Sequence, residues 1–297
     1  MQFIKTKTIL TNVNCGTCWY GIDYNMNLYR GCSHGCIYCD SRSECYHIEN
    51  FDIVKGKANA LAILESELFR KKKRGIIGIG AMSDTYNPQE IKYEITREAL
   101  KLISKYHFGV SIDTKSDLIL RDLDLLREIN NKNDVIVKFT ITTPNDKLSK
   151  LIEPNVCVSS RRLQAIKTLS DNGIFVGIML NPVLPFITDS KEDIKLLVKL
   201  AYENGAKFIH TYMGMTLRGN QKDYYYQQLD KNFPGLRDMY VKKYGNKYDC
   251  KASNYRGLYQ VFTSECDKYG ILYNMDDIIN AYKKKKGSIQ LTLFDTD

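Results

Sequence analysis

No stretch of this sequence approaches the roughly 18 consecutive apolar residues that a membrane span needs, so no transmembrane segment is expected. Residues 1–10 alternate polar and apolar side chains and hold no apolar core of a secretory leader, so a cytoplasmic protein is expected. Beyond the strand–helix alternation described below there is no internal repeat and no low-complexity segment. What is present is ordinary for a well-cored globular chain: 43% hydrophobic and 26% charged residues over 297 positions. That length suits one large α/β domain, alone or with an appendage. Cysteine stands out. Nine cysteines in a reducing compartment argue for metal or redox chemistry and against a disulfide framework. Lys and Arg (43) exceed Asp and Glu (34), for a net charge of +9. Such a surface suits a polyanionic partner, possible DNA or other nucleic acid, although a Lys-rich composition alone gives the same excess. Two basic runs, residues 70–74 and 283–286, read as solvated faces or tails.

The densest chemistry lies in Arg30-Gly31-Cys32-Ser33-His34-Gly35-Cys36-Ile37-Tyr38-Cys39. Its three thiols have C-x3-C-x2-C spacing, and short spacers with two glycines keep them on one tight loop. Thiolates are soft ligands suited to iron–sulfur clusters. Three ligands on a four-iron cluster leave one iron open to a small molecule. An upstream pair, Cys15 and Cys18, complicates the reading. With Cys36 and Cys39 it makes a C-x2-C-x17-C-x2-C pattern like a zinc ribbon, but that assignment leaves Cys32 over. Cys15 and Cys18 are otherwise a redox pair, part of a second metal site, or structural thiols. The C-x3-C-x2-C loop with an aromatic before its last cysteine resembles the signature of the radical S-adenosylmethionine (SAM) superfamily. In that superfamily the open iron chelates the methionyl group of SAM.

Along the rest of the chain, apolar strand-like runs at Tyr24–Leu28, Gly75–Ala81, Phe108–Asp113, Val135–Thr142, Ile174–Leu180 and Ala206–Thr211 alternate with helical patterns. The helices are expected at Ala58–Arg70, Pro88–Tyr106, Leu118–Ile129, Ser159–Leu169 and Ser190–Glu203. Six strands joined by helices predict a parallel sheet curled into a partial (β/α)6 TIM-type barrel. From about Gly219 the pattern turns to short helices (Leu236–Tyr244, Asn254–Tyr269, Met275–Tyr282), a C-terminal helical extension that could close the barrel's open side. The expected organisation is an N-terminal segment (1–23), the barrel (24–218) and the extension with its tail (219–297).

In such barrels chemistry collects at the carboxyl ends of the strands. There stand Ser83 and Asp84, able to accept from an ammonium or a ribose, and Lys115, able to pair with a carboxylate. Thr140 and Thr142 can bond a ribose or a carboxylate. Of Arg161 and Arg162, one is expected to neutralise a carboxylate near SAM and the other to be solvated, and Arg161 is taken as the cofactor contact. His34 reads as a hydrogen-bonding loop residue. For His210 a barrel-facing and a core position are both open.

A closer resemblance rests on Tyr29 to Cys39, Thr114-Lys115-Ser116, Glu153-Pro154 followed by Arg161, and Asn181-Pro182-Val183-Leu184-Pro185. These phrases resemble the radical SAM proteins related to spore photoproduct lyase, often called DNA repair photolyases, over residues 24 to about 215. The resemblance implies a partial barrel, a [4Fe-4S] cluster held by Cys32, Cys36 and Cys39, and S-adenosyl-L-methionine contacted by Ser83, Asp84 and Lys115. It implies one-electron cleavage of SAM to a 5′-deoxyadenosyl radical, an electron donor such as flavodoxin or ferredoxin, and Tyr38 in radical relay. The chain departs from that family at Ala81-Met82, where the lyase carries a hydrogen-donating cysteine, and at Asp40, where it carries a tyrosine. Cys45 is the nearest spare thiol in sequence and so a candidate for the missing role, beside the plainer reading of an incidental cysteine. Gln290-Leu291-Thr292-Leu293-Phe294 resembles the peptide by which DNA polymerases and repair proteins dock on the sliding clamp. The function expected is radical SAM chemistry on a nucleic-acid-type substrate. The alternatives are modification of a peptide or small molecule, or a zinc-ribbon nucleic-acid-binding protein.

Overall fold

The computed structural model describes residues 1–13 and 19–283. Cys15, Cys18 and the Gln290–Phe294 peptide lie outside them. Strands β1 (Gln2–Ile4) and β2 (Leu10–Asn12) precede β3 (Tyr24–Met26), β4 (Tyr29–Arg30) and β5 (Lys55–Lys57). Helix α1 (Ala60–Arg70) leads to β6 (Ile76–Ile79), and α2 (Glu90–Tyr93) with α3 (Ile95–Lys105) leads to β7 (Gly109–Thr114). Helix α4 (Leu123–Lys132) leads to β8 (Val135–Thr140), α5 (Asp146–Ile152) and α6 (Ser159–Asp171) to β9 (Phe175–Leu180), and α7 (Lys191–Glu203) to β10 (Phe208–Thr211). Strands β3, β6, β7, β8, β9 and β10 lie side by side in that order, all parallel, with β2 antiparallel on the outer edge of β3. This is the six-stranded partial barrel expected.

Period-two alternation divides each strand between the helical shell and the lumen. Val110, Ile112, Val137, Phe139, Val176 and Ile178 pack outward into the main apolar core. The residues between them face inward in register: Ser111 opposite Ile136, Asp113 opposite Lys138, Lys138 opposite Gly177, and Thr140 opposite Met179. The lower lumen is filled by Ile76, Ile136 and Phe208 together with Tyr20, which arrives from the N-terminal segment. Tyr20 is fully buried. Its hydroxyl donates to Met179 Sδ at 2.7 Å, and its ring lies 4.4 Å from Lys138 Nζ.

The extension comprises β11 (Gly214–Thr216), α8 (Gly219–Asn232), α9 (Leu236–Tyr244), β12 (Asp249–Lys251), α10 (Tyr255–Tyr269) and α11 (Met275–Tyr282), with β11 and β12 paired antiparallel. It covers the free edge of β10: Ile209 N donates to Leu272 O (2.9 Å) and Leu272 N to Lys207 O (3.0 Å). An open strand edge is thereby satisfied. Three details differ from expectation. The helix expected over Pro88–Tyr106 breaks at Glu94, which takes a left-handed φ of 48°. The segment Asp117–Asp122 is a 3-10 turn before α4 begins. Helix α5 and the small sheet of β1, β5 and β4 lie where connections were expected.

Candidate active site

The cysteine loop follows β4 and is held by backbone bonds at both ends. Cys32 N donates to Phe51 O (2.8 Å), Ile37 N to Ile152 O (3.0 Å) and Asn155 N to His34 O (3.1 Å). Gly31 takes φ 81°, and a Cβ there would stand 2.6 Å from Ile53 O and 2.7 Å from Phe51 O, so no other residue fits without moving backbone. Cys32, Cys36 and Cys39 are free thiols that line one cavity of about 180 Å³ at the carboxyl ends of the strands. Asp84, Lys115 and Thr140 line the same cavity. Three of the strand-end residues expected from the sequence are thus brought to the three thiols.

The electrostatics follow from burial. Burial pushes the Cys32 thiol up to about 12 and raises Cys36 and Cys39 as well, while Lys115 pulls the latter two back. Burial by itself lowers Lys115, but the facing Cys36, Glu153, Asp84 and Cys39 outweigh it and hold the ammonium well above its usual range. Such thiols become ligands when a metal charge arrives to stabilise their deprotonated form. Among the described residues no three His, Cys, Asp or Glu side chains converge as a single ion requires. Tetrahedral zinc, with bonds of about 2.3 Å, would draw its sulfurs to within about 4 Å of one another. A cluster offers a separate iron to each thiolate and accepts sulfurs spread around a loop. The donor set therefore fits an iron–sulfur cluster.

Asp84 is the organiser of the site. Its carboxylate accepts from Tyr86 N (2.9 Å), Thr114 Oγ1 (2.8 Å) and Lys115 N (2.7 Å), and lies 3.4 Å from His34 Nδ1. These contacts tie the β6 loop, the end of β7 and the cysteine loop together, with Asp84 still on the cavity wall. Ser83 and Thr142 lie outside the cavity lining and bury hydroxyls that have no hydrogen-bond partner among the described residues. Unsatisfied buried hydroxyls are costly, and a bound polar group removes the cost.

Tyr38 is buried, and its hydroxyl donates to Glu153. Glu153 forms a fully buried ion pair with Arg162 (2.6 Å), set off the hydrogen-bonding line, and Arg162 also donates to Thr140 O (2.8 Å) and Cys157 O (2.8 Å). Of the two adjacent arginines, then, Arg162 is the buried one. Arg161 is solvated, pairs with Asp117 and borders a separate cleft of about 450 Å³ that shares only His34 with the thiol cavity. Cys45 is exposed on the Glu44–Tyr46 turn, outside the cavity lining. Asp40 accepts from Arg218 (2.5 Å), Tyr46 (2.9 Å) and Thr216 (3.1 Å), which fastens the extension to the cysteine loop.

Several site residues escape the sequence reading. Trp19 lines the cavity while remaining 42% exposed. Asp113 lines it too and pairs with Lys138, which also donates to Ser111 (2.8 Å) beneath. His210, for which the sequence leaves two positions open, faces the lumen side, 6.0 Å ring to ring from Trp19. A lysine inside the apolar run Val135-Ile136-Val137-Lys138-Phe139 is the one legible signal for this pair.

The radical SAM superfamily pattern matches residues 26–201, which takes in the cysteine loop, four whole barrel strands (β6 to β9) and the last residue of β3. The chain belongs to the radical SAM superfamily. It is accordingly an enzyme whose cofactors are a [4Fe-4S] cluster and S-adenosylmethionine, which sets aside the zinc-ribbon binding module. An uncharacterized protein of Mycobacterium tuberculosis is 30% identical over 228 residues, covering 74% of this chain and 67% of that one. An uncharacterized protein of Methanocaldococcus jannaschii is 35% identical over 173 residues, covering 57% of this chain and 63% of that one. Among solved structures, a spore photoproduct lyase variant with bound AdoMet and dinucleoside spore photoproduct superposes with TM-score 0.65 at 15% identity, covering 87% of this chain and 78% of that one. The radical SAM methyltransferase TsrM of Kitasatospora setae, with tryptophan substrate and a SAM analogue, gives TM-score 0.56 at 10% identity, covering 85% of this chain and 54% of that one. These likenesses place the fold.

Proposed function

We propose that this radical SAM enzyme acts on a nucleic-acid-type substrate in a DNA-repair-like reaction, with Cys32, Cys36 and Cys39 holding the cluster. The observation that carries the cofactor assignment is the convergence of three free thiols, the Lys115 ammonium and Thr140 on one strand-end cavity. The nucleic-acid assignment draws support from the net charge of +9 and from the fold shared with a lyase whose structure holds a dinucleoside photoproduct. When bound, the cluster supplies one electron that splits SAM into methionine and a 5′-deoxyadenosyl radical.

The chain's own residues position and shield that chemistry. Lys115 pairs with the carboxylate of SAM, and its backbone is fixed by Asp84. Ser83, Thr140 and Thr142 offer hydroxyls to the ammonium, ribose or carboxylate. Arg162 acts indirectly, by holding Glu153 and the Thr140 carbonyl in place. Arg161 stands apart from this set. Trp19 and Met179 wall the cavity against water. Tyr38, whose hydroxyl is hydrogen-bonded to Glu153, is the proposed radical relay. Ala81-Met82 provides no thiol, and Cys45 is off the cavity, so hydrogen return to the product falls to another group. Flavodoxin or ferredoxin is the proposed reductant, the cytoplasm the proposed compartment, and a sliding clamp the proposed partner of residues 290–294. No helix of the described residues is long and apolar enough to cross a membrane.

The test is anaerobic reconstitution and reduction with SAM, comparing undamaged and ultraviolet-irradiated DNA. The reading expects 5′-deoxyadenosine release to rise with irradiated DNA and the photoproducts to disappear. Release that ignores DNA of either kind overturns the nucleic-acid reading and favours a peptide or small molecule.

A further inference from the structure

Beyond the cavity the most distinctive surface lies on the rim of the barrel. Tyr212 directly follows β10, two residues past the His210 that packs on Trp19. With Tyr255 and Tyr259 of α10 it lines a groove of about 450 Å³ that also takes in Lys251 and Arg256. Tyr212 is 40% exposed and Tyr259 45%. Lys251 Nζ lies 5.8 Å from the Tyr212 ring and 4.8 Å from the Tyr255 ring, and the Arg256 guanidinium lies 5.8 Å from the Tyr255 ring. Tyr259 rests on the buried Phe262 at 5.9 Å, which fixes its ring at the surface. One carboxylate intrudes: Asp249 lies beside Tyr212, adding to burial in raising the tyrosine's pKa, and stands 3.8 Å from Lys251. In the groove lining itself two cations, Lys251 and Arg256, stand against that single acid.

Aromatic faces interleaved with cations are what a single nucleic-acid strand requires: stacking platforms for bases and charges for phosphates. A lipid surface would instead call for exposed aliphatic side chains, and Met213 in the groove is 2% exposed. We propose that this groove binds a single-stranded segment of nucleic acid beside the cavity mouth. The inference rests on the reading of a nucleic-acid-type substrate and adds the surface that holds it.

The test needs neither cluster nor SAM. A dye-labelled single-stranded DNA of roughly 15 nucleotides is titrated with the full chain and followed by fluorescence anisotropy between about 50 and 200 mM salt. The wild type is expected to bind with an affinity that falls as salt rises. Tyr212→Ala with Tyr259→Ala is expected to weaken binding about tenfold or more, and the paired Phe substitutions to restore it. Lys251→Gln with Arg256→Gln is expected to flatten the logarithmic salt dependence by about 0.7 for each phosphate that the variant no longer neutralises. All four side chains are partly or fully exposed, so thermal unfolding should match the wild type. Unchanged affinity in both double variants, or wild-type binding that ignores salt, overturns the groove. If the loaded enzyme still responds to DNA in that case, the proposed function stands without the groove. If groove binding is found and DNA fails to stimulate 5′-deoxyadenosine release, the groove stands and the proposed function falls.

Discussion

The lumen of this barrel is one tube with two different halves. The lower half is a core: Ile76, Ile136 and Phe208 close around Tyr20 and are sealed by Ile278 and Tyr282 of α11. The upper half carries Asp113, Lys115, Thr140 and the three thiols around open space. The boundary is Lys138, 1% exposed, whose charge lies against the Tyr20 ring below and Asp113 above. Burial lowers Lys138 and raises Asp113, and their pairing offsets this only in part. Replacing such a buried pair with apolar residues often stabilises a protein. Its presence here marks where packing stops and chemistry starts.

This contrast orders the expected effects of substitution. Cys36→Ala should abolish cluster iron and 5′-deoxyadenosine together, with unfolding shifted by about 1 kcal/mol, the ordinary scale for a point change. Metal analysis beside a denaturant titration checks both halves. Phe208→Ala, in the lower lumen, should do the reverse: a loss of about 3–5 kcal/mol in stability, with the folded fraction still taking up iron. Glu153→Gln should cost a comparable 3–5 kcal/mol, because Arg162 would remain buried and charged without its partner. It would also disturb Tyr38 and Thr140, so a lowered iron content is expected as well. Arg218→Met removes the clamp on Asp40 and should cost about 1 kcal/mol, with slower iron uptake in a reconstitution time course.

The smallest effect belongs to the outer shell. The Arg97 guanidinium holds the Asp124 carboxyl at about 2, below its ordinary 3.8. A lowered carboxyl adds stability that is present above about pH 4 and is lost as pH falls through about 2. Asp124 stands largely in water and Arg97 is partly covered, so Asp124→Asn should remove about 0.2–1 kcal/mol of that acid limb. Urea titrations at pH 3 and pH 6 test this, and a larger change would weaken the claim that stability resides in the lumen and its helical shell.

The barrel was legible because its strands are continuous apolar runs whose length and spacing leave little choice of topology. The cysteine loop was legible because its spacing is local. What stayed hidden depends on pairing across sequence. Tyr20 enters the lumen from a segment with no periodic pattern, and β1, β4 and β5 are two or three residues long, too short to show alternation. Arg161 and Arg162 are chemically identical neighbours, and helix phase alone decides which meets Glu153. Glu94 breaks a helix in a left-handed conformation that a non-glycine residue does not advertise. Asp84 reads as a ligand contact, and its bonds to Tyr86, Thr114 and Lys115 beside His34 are a tertiary fact.

The central claim is that Cys32, Cys36 and Cys39 of one loop hold the catalytic cluster beside Lys115. Iron and 5′-deoxyadenosine measured together, after anaerobic reconstitution of the wild type, each single Cys→Ala variant and Cys45→Ala, test it most directly. The account predicts a full cluster's iron and product formation in the wild type and in Cys45→Ala, and loss of both in each of the other three. Full iron and undiminished product in any one of those three would contradict it.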